Sequence, residues 1–111
     1  MTDYAGALEA IDRILNRGGD ADGVLRSVLT ALHERGVDYA AIRFVEAGAL
    51  VVGPSVGEQT AARTTPIVYD GEQVGELELA VDDDAFAERV AKLISANVLV
   101  GWDTGGEPWS P

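Results

Sequence analysis

The stretch "TPIVYDGEQVGELELAV", Thr65 to Val81, holds two apolar runs separated by Asp70-Gly71. In the second run Gly75, Leu77, Leu79 and Val81 alternate with Val74, Glu76, Glu78 and Ala80. That period of two belongs to a strand with one face on a core and the other turned away. Asp-Gly is the pair that tolerates positive φ at both central positions of a tight hairpin turn. The spacing therefore predicts an antiparallel hairpin of "TPIVY" against "EQVGELELAV", with the Leu77 side toward the core.

Upstream, "DYAAIRFVE" shows the same period. Ala40, Ile42 and Phe44 point one way, and Tyr39, Ala41, Arg43 and Val45 the other. "EAGA" is a short turn into "LVVG", Leu50 to Gly53, which predicts a second hairpin. The Gly- and Pro-bearing segment from Val52 to Ile67, "VGPSVGEQTAARTTPI", then reads as a connection between strands.

Outside this region the period lengthens to that of helices. Leu8, Ile11, Ile14 and Leu15 mark a helix over Ala7 to Asn16, stopped by Gly18-Gly19. A second helix starts at Asp20 or Asp22, either of which can cap free N–H groups. Its stripe is Val24, Leu25, Val28, Leu29 and Leu32, and Gly36 suits the left-handed position after its last turn. "DDDAFAERVAKLISANVLVGW" is the last helix, with Asp82 to Asp84 at the positive end of its dipole and Phe86, Val90, Leu93, Ile94 and Val98 buried. After Gly101 the tail "WDTGGEPWSP" is expected to be irregular. The order α-α-β-β-β-β-α predicts a two-layer α+β domain, an antiparallel sheet backed by N- and C-terminal helices. It is a single domain over residues 1–111, with its core at about 7–100 and a tail at 101–111.

Composition narrows the function classes. The formal net charge is −11, from 19 acidic and 8 basic residues, and the basic ones are scattered singly along the chain. Neither nucleic acid nor an anionic membrane is an expected partner, because phosphate neutralisation needs clustered Lys and Arg. No apolar run approaches the roughly 20 residues of a spanning helix, and the acidic N-terminus does not read as a secretory signal. The expected location is the cytoplasm. With no Cys there is no disulfide, thiolate metal site or thiol nucleophile. The excess of Arg over Lys, with abundant Ala, Gly and Val, fits a GC-rich bacterial genome.

With "LVVGPSVGEQTAAR", "TPIVYDGEQVGELELA", an acidic residue, Phe86 and a closing helix, the chain resembles the GAF domain family over about Leu8 to Val100. The resemblance implies a small sheet backed by N- and C-terminal helices, with a ligand pocket on its other face. The nearest pattern within the family is that of the free methionine-(R)-sulfoxide reductases. Their Gly-Pro-x-x-Gly is matched by Gly53, Pro54 and Gly57, and their Gly-x-Leu-Asp-Ile-Asp by Gly75 to Ala80. Two departures matter. The reductases carry a cysteine after the Gly-Pro turn, where this chain has "TAAR", so sulfoxide reduction by that route is closed. They also insert a helix and a strand that roof the pocket, where this chain has only Gly57 to Thr65. Nine residues reach about 30 Å at most and cannot build a roof, so by this resemblance Val52 to Ile67 looks like the floor of such a pocket with its lid removed, beside its reading as a plain connection. Only Glu78 matches a ligand-contacting position of the family, with Glu for Asp.

The candidate ligand residues are Tyr39, Arg43, Gly53, Pro54, Glu76 and Glu78, of which Arg43 and the two glutamates also read as an ordinary cross-strand ion-pair set. His33, the only histidine, reads as a helix-end residue bonding a carbonyl or a carboxylate. Ser27, Ser55 and Ser95 form no recognisable triad with it. "DDDAFAE" lacks the ligand spacing of a calcium loop, and "GGD" at 18–20 follows no strand, so it is not a phosphate loop. No catalytic residue, metal or cofactor is expected. Trp102 and Trp109 are read as anchors for an ordered tail, packed on the domain or on a partner. The expected function is a non-catalytic GAF-like binding and dimerisation module in bacterial signalling or regulation. The alternatives are a small-molecule sensor with a shallow pocket on the sheet face and a carboxylate-based enzyme. The expected partners are a second copy, another protein or a small polar ligand.

Overall fold

A computed structural model describes residues 3–46 and 48–103, the last four by backbone alone. Seven elements follow in the predicted order: α1 (Tyr4–Arg17), α2 (Ala21–Glu34), β1 (Tyr39–Glu46), β2 (Ala49–Gly57), β3 (Arg63–Tyr69), β4 (Glu72–Leu79) and α3 (Asp84–Asp103). This is a mixed α+β fold. Among the described residues no helix is long and apolar enough to cross a membrane.

Side-chain caps set the helix starts. Asp3 Oδ1 accepts from Gly6 N at 3.0 Å, Asp20 Oδ1 from Gly23 N at 2.7 Å, and Asp83 Oδ1 from Phe86 N at 3.0 Å. Each satisfies an orphan donor of the first turn. Asp3 moves the start of the first helix up to Tyr4 from the expected Ala7. Asp3 also reaches the far end of α2, its backbone N–H donating to Arg35 O at 2.8 Å. At the other end of the chain, α3 continues through Gly101 and Trp102 to Asp103, so those residues are helical rather than irregular. One Gly in a helix costs only about 1 kcal/mol, which the preceding turns can absorb. Residues 104–111, including Trp109, lie outside the described residues, as does the Trp102 side chain.

The four strands form one antiparallel sheet in the order β2-β1-β4-β3. The Asp70-Gly71 hairpin forms as expected, with φ of 53° and 81°. α2 and α3 lie on one face of the sheet, and α1 packs chiefly on those two helices, with Tyr4 against the Phe86 ring at 4.6 Å. Between the layers sit Ile42, Phe44, Ile67, Leu77 and Leu79 from the sheet with Leu25, Val28, Leu29, Val90, Ile94 and Val98 from the helices.

The "VGPSVG" part of the expected connection is strand. β2 runs on to Gly57, and Ala41↔Ser55 followed by Arg43↔Val52 leaves one extra residue on β2, a β-bulge at Gly53-Pro54. Pro lacks a ladder donor and is tolerated at such an irregularity on an edge strand. β3, the other edge, carries Pro66. The true connection is Glu58 to Ala62. It joins opposite edges, about 14 Å apart over three strand spacings, and five residues leave little slack for anything but a direct crossing.

A second register shift, where Ile67↔Gly75 is followed by Val68↔Gln73, leaves Val74 as one extra residue on β4. Val74 was expected to face away with Glu76, yet it is buried in the core. The bulge breaks the strict alternation at that point.

Candidate functional site

The face of the sheet away from α2 and α3 carries Arg43 at its centre. Arg43 stands opposite Glu76 of β4, and Glu78 stands opposite the neighbouring Ala41. Arg43 Nη1 touches Glu78 Oε1 and lies 3.8 Å from Glu76 Oε1. Long side chains reach diagonal neighbours on a sheet as well as those directly across. Glu78 is buried, with 9% of its surface exposed, while Arg43 and Glu76 are half-buried. Glu78 Oε1 accepts no well-aligned hydrogen bond. The guanidinium charge is therefore what compensates a carboxylate taken out of water. One Nη serves both carboxylates, which leaves other N–H groups of the guanidinium fork to meet an incoming acceptor.

The other sequence candidates fall elsewhere. Tyr39 lies on the same face, paired with Gly57, but four residues from Arg43, or about 13 Å along the strand. It is 8% exposed, so it presents little surface to a ligand. A Cβ on Gly53 would meet Phe44 Cε2 at 2.4 Å and Ile42 O at 2.5 Å. Gly53 is thus turned toward the covered face, where only a glycine fits against the Phe44 ring. Pro54 is buried beside it in the bulge. The structure joins Arg43, Glu76 and Glu78 into one cluster and leaves Tyr39, Gly53 and Pro54 out of it.

Apolar side chains of β2 flank the charged strip, Leu50 and Val52 being 43% and 79% exposed. Leu50 and Val52 pair with Val45 and Arg43, which places them on the open face. His33 and Arg63 take structural roles. His33 Nδ1 donates to Val37 O at 3.0 Å, which holds the end of α2. Arg63, in the "TAAR" segment, donates from Nε to Val81 O at 3.1 Å and from Nη1 to Asp84 Oδ1 at 2.8 Å. It ties the start of β3 to the β4–α3 junction.

Three of the surface grooves among the described residues lie away from Arg43, Glu76 and Glu78. One of about 420 Å³ sits at the sheet end crossed by the Glu58–Ala62 connection, beside Tyr4, Asp38 and Asp82. One of about 660 Å³ runs between β3 and α3, past Pro66, Val68, Arg89 and Lys92. The third, about 690 Å³, lies between α1 and α2 and gathers Arg13, Arg17 and Arg26. The sequence reading missed this last convergence, because it took the basic residues as scattered. The available signal was the spacing of Arg13 and Arg17, four apart on one helix face.

No protein-family model, no curated protein and no solved structure matches this chain.

Proposed function

We propose that the chain is a minimal, non-catalytic GAF-like module that works by pairing with a second copy through the open face of its sheet. The observation that carries this reading is the exposure of Leu50 and Val52 on the face turned away from α2 and α3, which no helix covers among the described residues. Two neighbouring aliphatic side chains exposed beside a charged strip are a surface that a partner can cover. Three further points favour a second copy. Pro54 and Pro66 stand on both edge strands, which disfavours growth of the sheet by edge pairing and leaves the face. The short Glu58–Ala62 connection supplies no roof. An isologous face-to-face contact also sets the same apolar groups against themselves.

The charge of each copy, −11, opposes association, so the pairing is expected to tighten as salt screens the repulsion. Support for a non-catalytic role comes from the absence of cysteine and from the Arg43 guanidinium already seated against both glutamates. Purified protein is expected to show no NADPH-coupled, thioredoxin-dependent turnover of free methionine sulfoxide. Sedimentation velocity over a micromolar concentration series is the direct test of pairing. The expected result is a dimer that Val52→Asp dissociates without altering the circular-dichroism spectrum. A strict monomer at every concentration and at high salt would refute the reading.

A small-molecule sensor is the second reading, favoured by the half-exposed guanidinium of Arg43. It would show instead as a ligand-induced change in melting temperature that Arg43→Met abolishes.

A further inference from the structure

We infer that pairing through the open face is controlled by protons, with Glu76 the carboxylate that is neutralised when a second copy covers it. This inference rests on the pairing proposed above and adds its regulation.

The balance of charge on the open face is the first observation. Six of the chain's eight basic residues belong to the three helices and the C-cap of α2. Arg63, the seventh, is held by Val81 O and Asp84 at the β4–α3 junction. Arg43 is thus the basic side chain of the open face, and it stands there between two carboxylates, Glu76 and Glu78. The strip carries one negative charge in excess.

The second observation is where that excess falls. Arg43 Nη1 touches Glu78 Oε1, and Glu78 is the more deeply buried of the two carboxylates. Glu76 Oε1 lies 3.8 Å from the same nitrogen, beyond hydrogen-bond length, and its side chain is 23% exposed. Arg43 faces Glu76 from β1, and Pro66 faces it from β3, with Thr64 beside Pro66 on the same face. Neither Pro66 nor Thr64 carries a charge. Glu76 therefore depends on water for the solvation that Arg43 gives to Glu78.

A second copy set on Leu50 and Val52 removes that water. Pro66, Glu76, Arg43 and Val52 form one row across the four strands, so a contact on Val52 reaches the strip. In an isologous contact the two copies bring two guanidiniums and four carboxylates, whatever the exact pose. Two negative charges stay uncompensated. A carboxylate taken out of water without a partner binds a proton rather than remain charged. Association therefore takes up protons, about one per copy, and by linkage it strengthens as pH falls. This effect is separate from the repulsion between whole copies, because salt screens a charge enclosed in the contact much less than exposed ones.

The test is sedimentation velocity of the full chain in about 1 M salt, where the Debye length is about 3 Å and repulsion between exposed charges is screened. The pH is stepped from about 8 to about 5, above the ordinary range of carboxylates in water. The expected result is a dimer whose association constant rises at least about tenfold over that range, within the limit of about a hundredfold per pH unit that two protons per dimer permit. Glu76→Gln should pair more tightly than the parent at the alkaline end and lose most of the pH dependence. Glu88→Gln removes the same charge from an exposed position on α3 and should leave both unchanged. Melting curves at each pH establish that every variant is folded. A dimer equally tight at all pH values, or one whose pH dependence survives Glu76→Gln, would overturn the proton control and leave the pairing standing. Equal flattening by Glu88→Gln would overturn it by assigning the effect to overall charge. A monomer at every pH would overturn it together with the pairing on which it rests.

Discussion

The two faces of the sheet are built from the same four strands and meet opposite demands. On the helix side Ala40, Ile42, Phe44, Ile67, Leu77 and Leu79 are at most 1% exposed. On the other side exposure rises from the centre outward: Tyr39 and Ala41 are 8% and 7% exposed, and Val52 is 79% exposed. β1 and β4 are the central strands, so their outward side chains are flanked on both sides, and those on edge strands are flanked on one. A face that no described helix covers is therefore not uniformly wet. Its centre can bury a carboxylate such as Glu78 against a guanidinium, while its margins keep aliphatic groups in water.

That contrast can be broken most severely from the covered side. Phe44→Ala empties the space between Gly53 and the helices and is expected to cost about 3–5 kcal/mol in urea denaturation. Gly53→Ala works in the opposite sense, forcing a methyl toward the same ring and toward Ile42 O, with an expected loss of about 1–3 kcal/mol. A variant as stable as the parent would show that the bulge can relax and that the two faces are less rigidly distinguished.

On the open face the expected effects are smaller and more selective. Arg43→Met leaves Glu78 buried without its counter-charge and should destabilise by about 1–3 kcal/mol. Adding Glu78→Gln should recover part of that loss, because removing both partners costs less than stranding one. Additive losses in this double-mutant cycle would mean that the pair is uncoupled and the strip merely solvated. Val52→Thr, at the exposed margin, should change stability by no more than about 0.5 kcal/mol. The same variant should weaken self-association in sedimentation, separating surface function from fold. Changing salt alone is the mildest perturbation: association should strengthen with ionic strength while the melting temperature moves little.

Several features were open to reading because they depend on residues close in the chain. The Asp70-Gly71 hairpin needs two adjacent residues of positive φ. The Asp20 cap needs a carboxylate three residues before Gly23, and the helix stripes repeat within a single turn. The Arg43, Glu76 and Glu78 cluster was legible by the same route, since strict alternation on two strands assigns all three to one face. Where alternation fails, the reading failed with it. Val74 turns inward because it is itself the extra residue of a bulge in β4, and a bulge is a property of how two strands are aligned, not of either strand's pattern.

The fate of Gly53 and Pro54 shows the same limit at the candidate site. As a dipeptide they signal a turn, and nothing local reveals that they form a bulge in a strand paired with β1, with Gly53 against the Phe44 ring. Their place follows from the pairing of β2 as an edge strand, which sets where the chain can spare a ladder donor. Local chemistry was thus sufficient for the order of elements, the Asp20 cap, the tight turn and the charge of each face, because those interactions span only a few residues. Pairing partners, edge positions and the meeting of Arg13, Arg17 and Arg26 required the packed chain, because they arise where segments distant in sequence are brought side by side by burial of a common core.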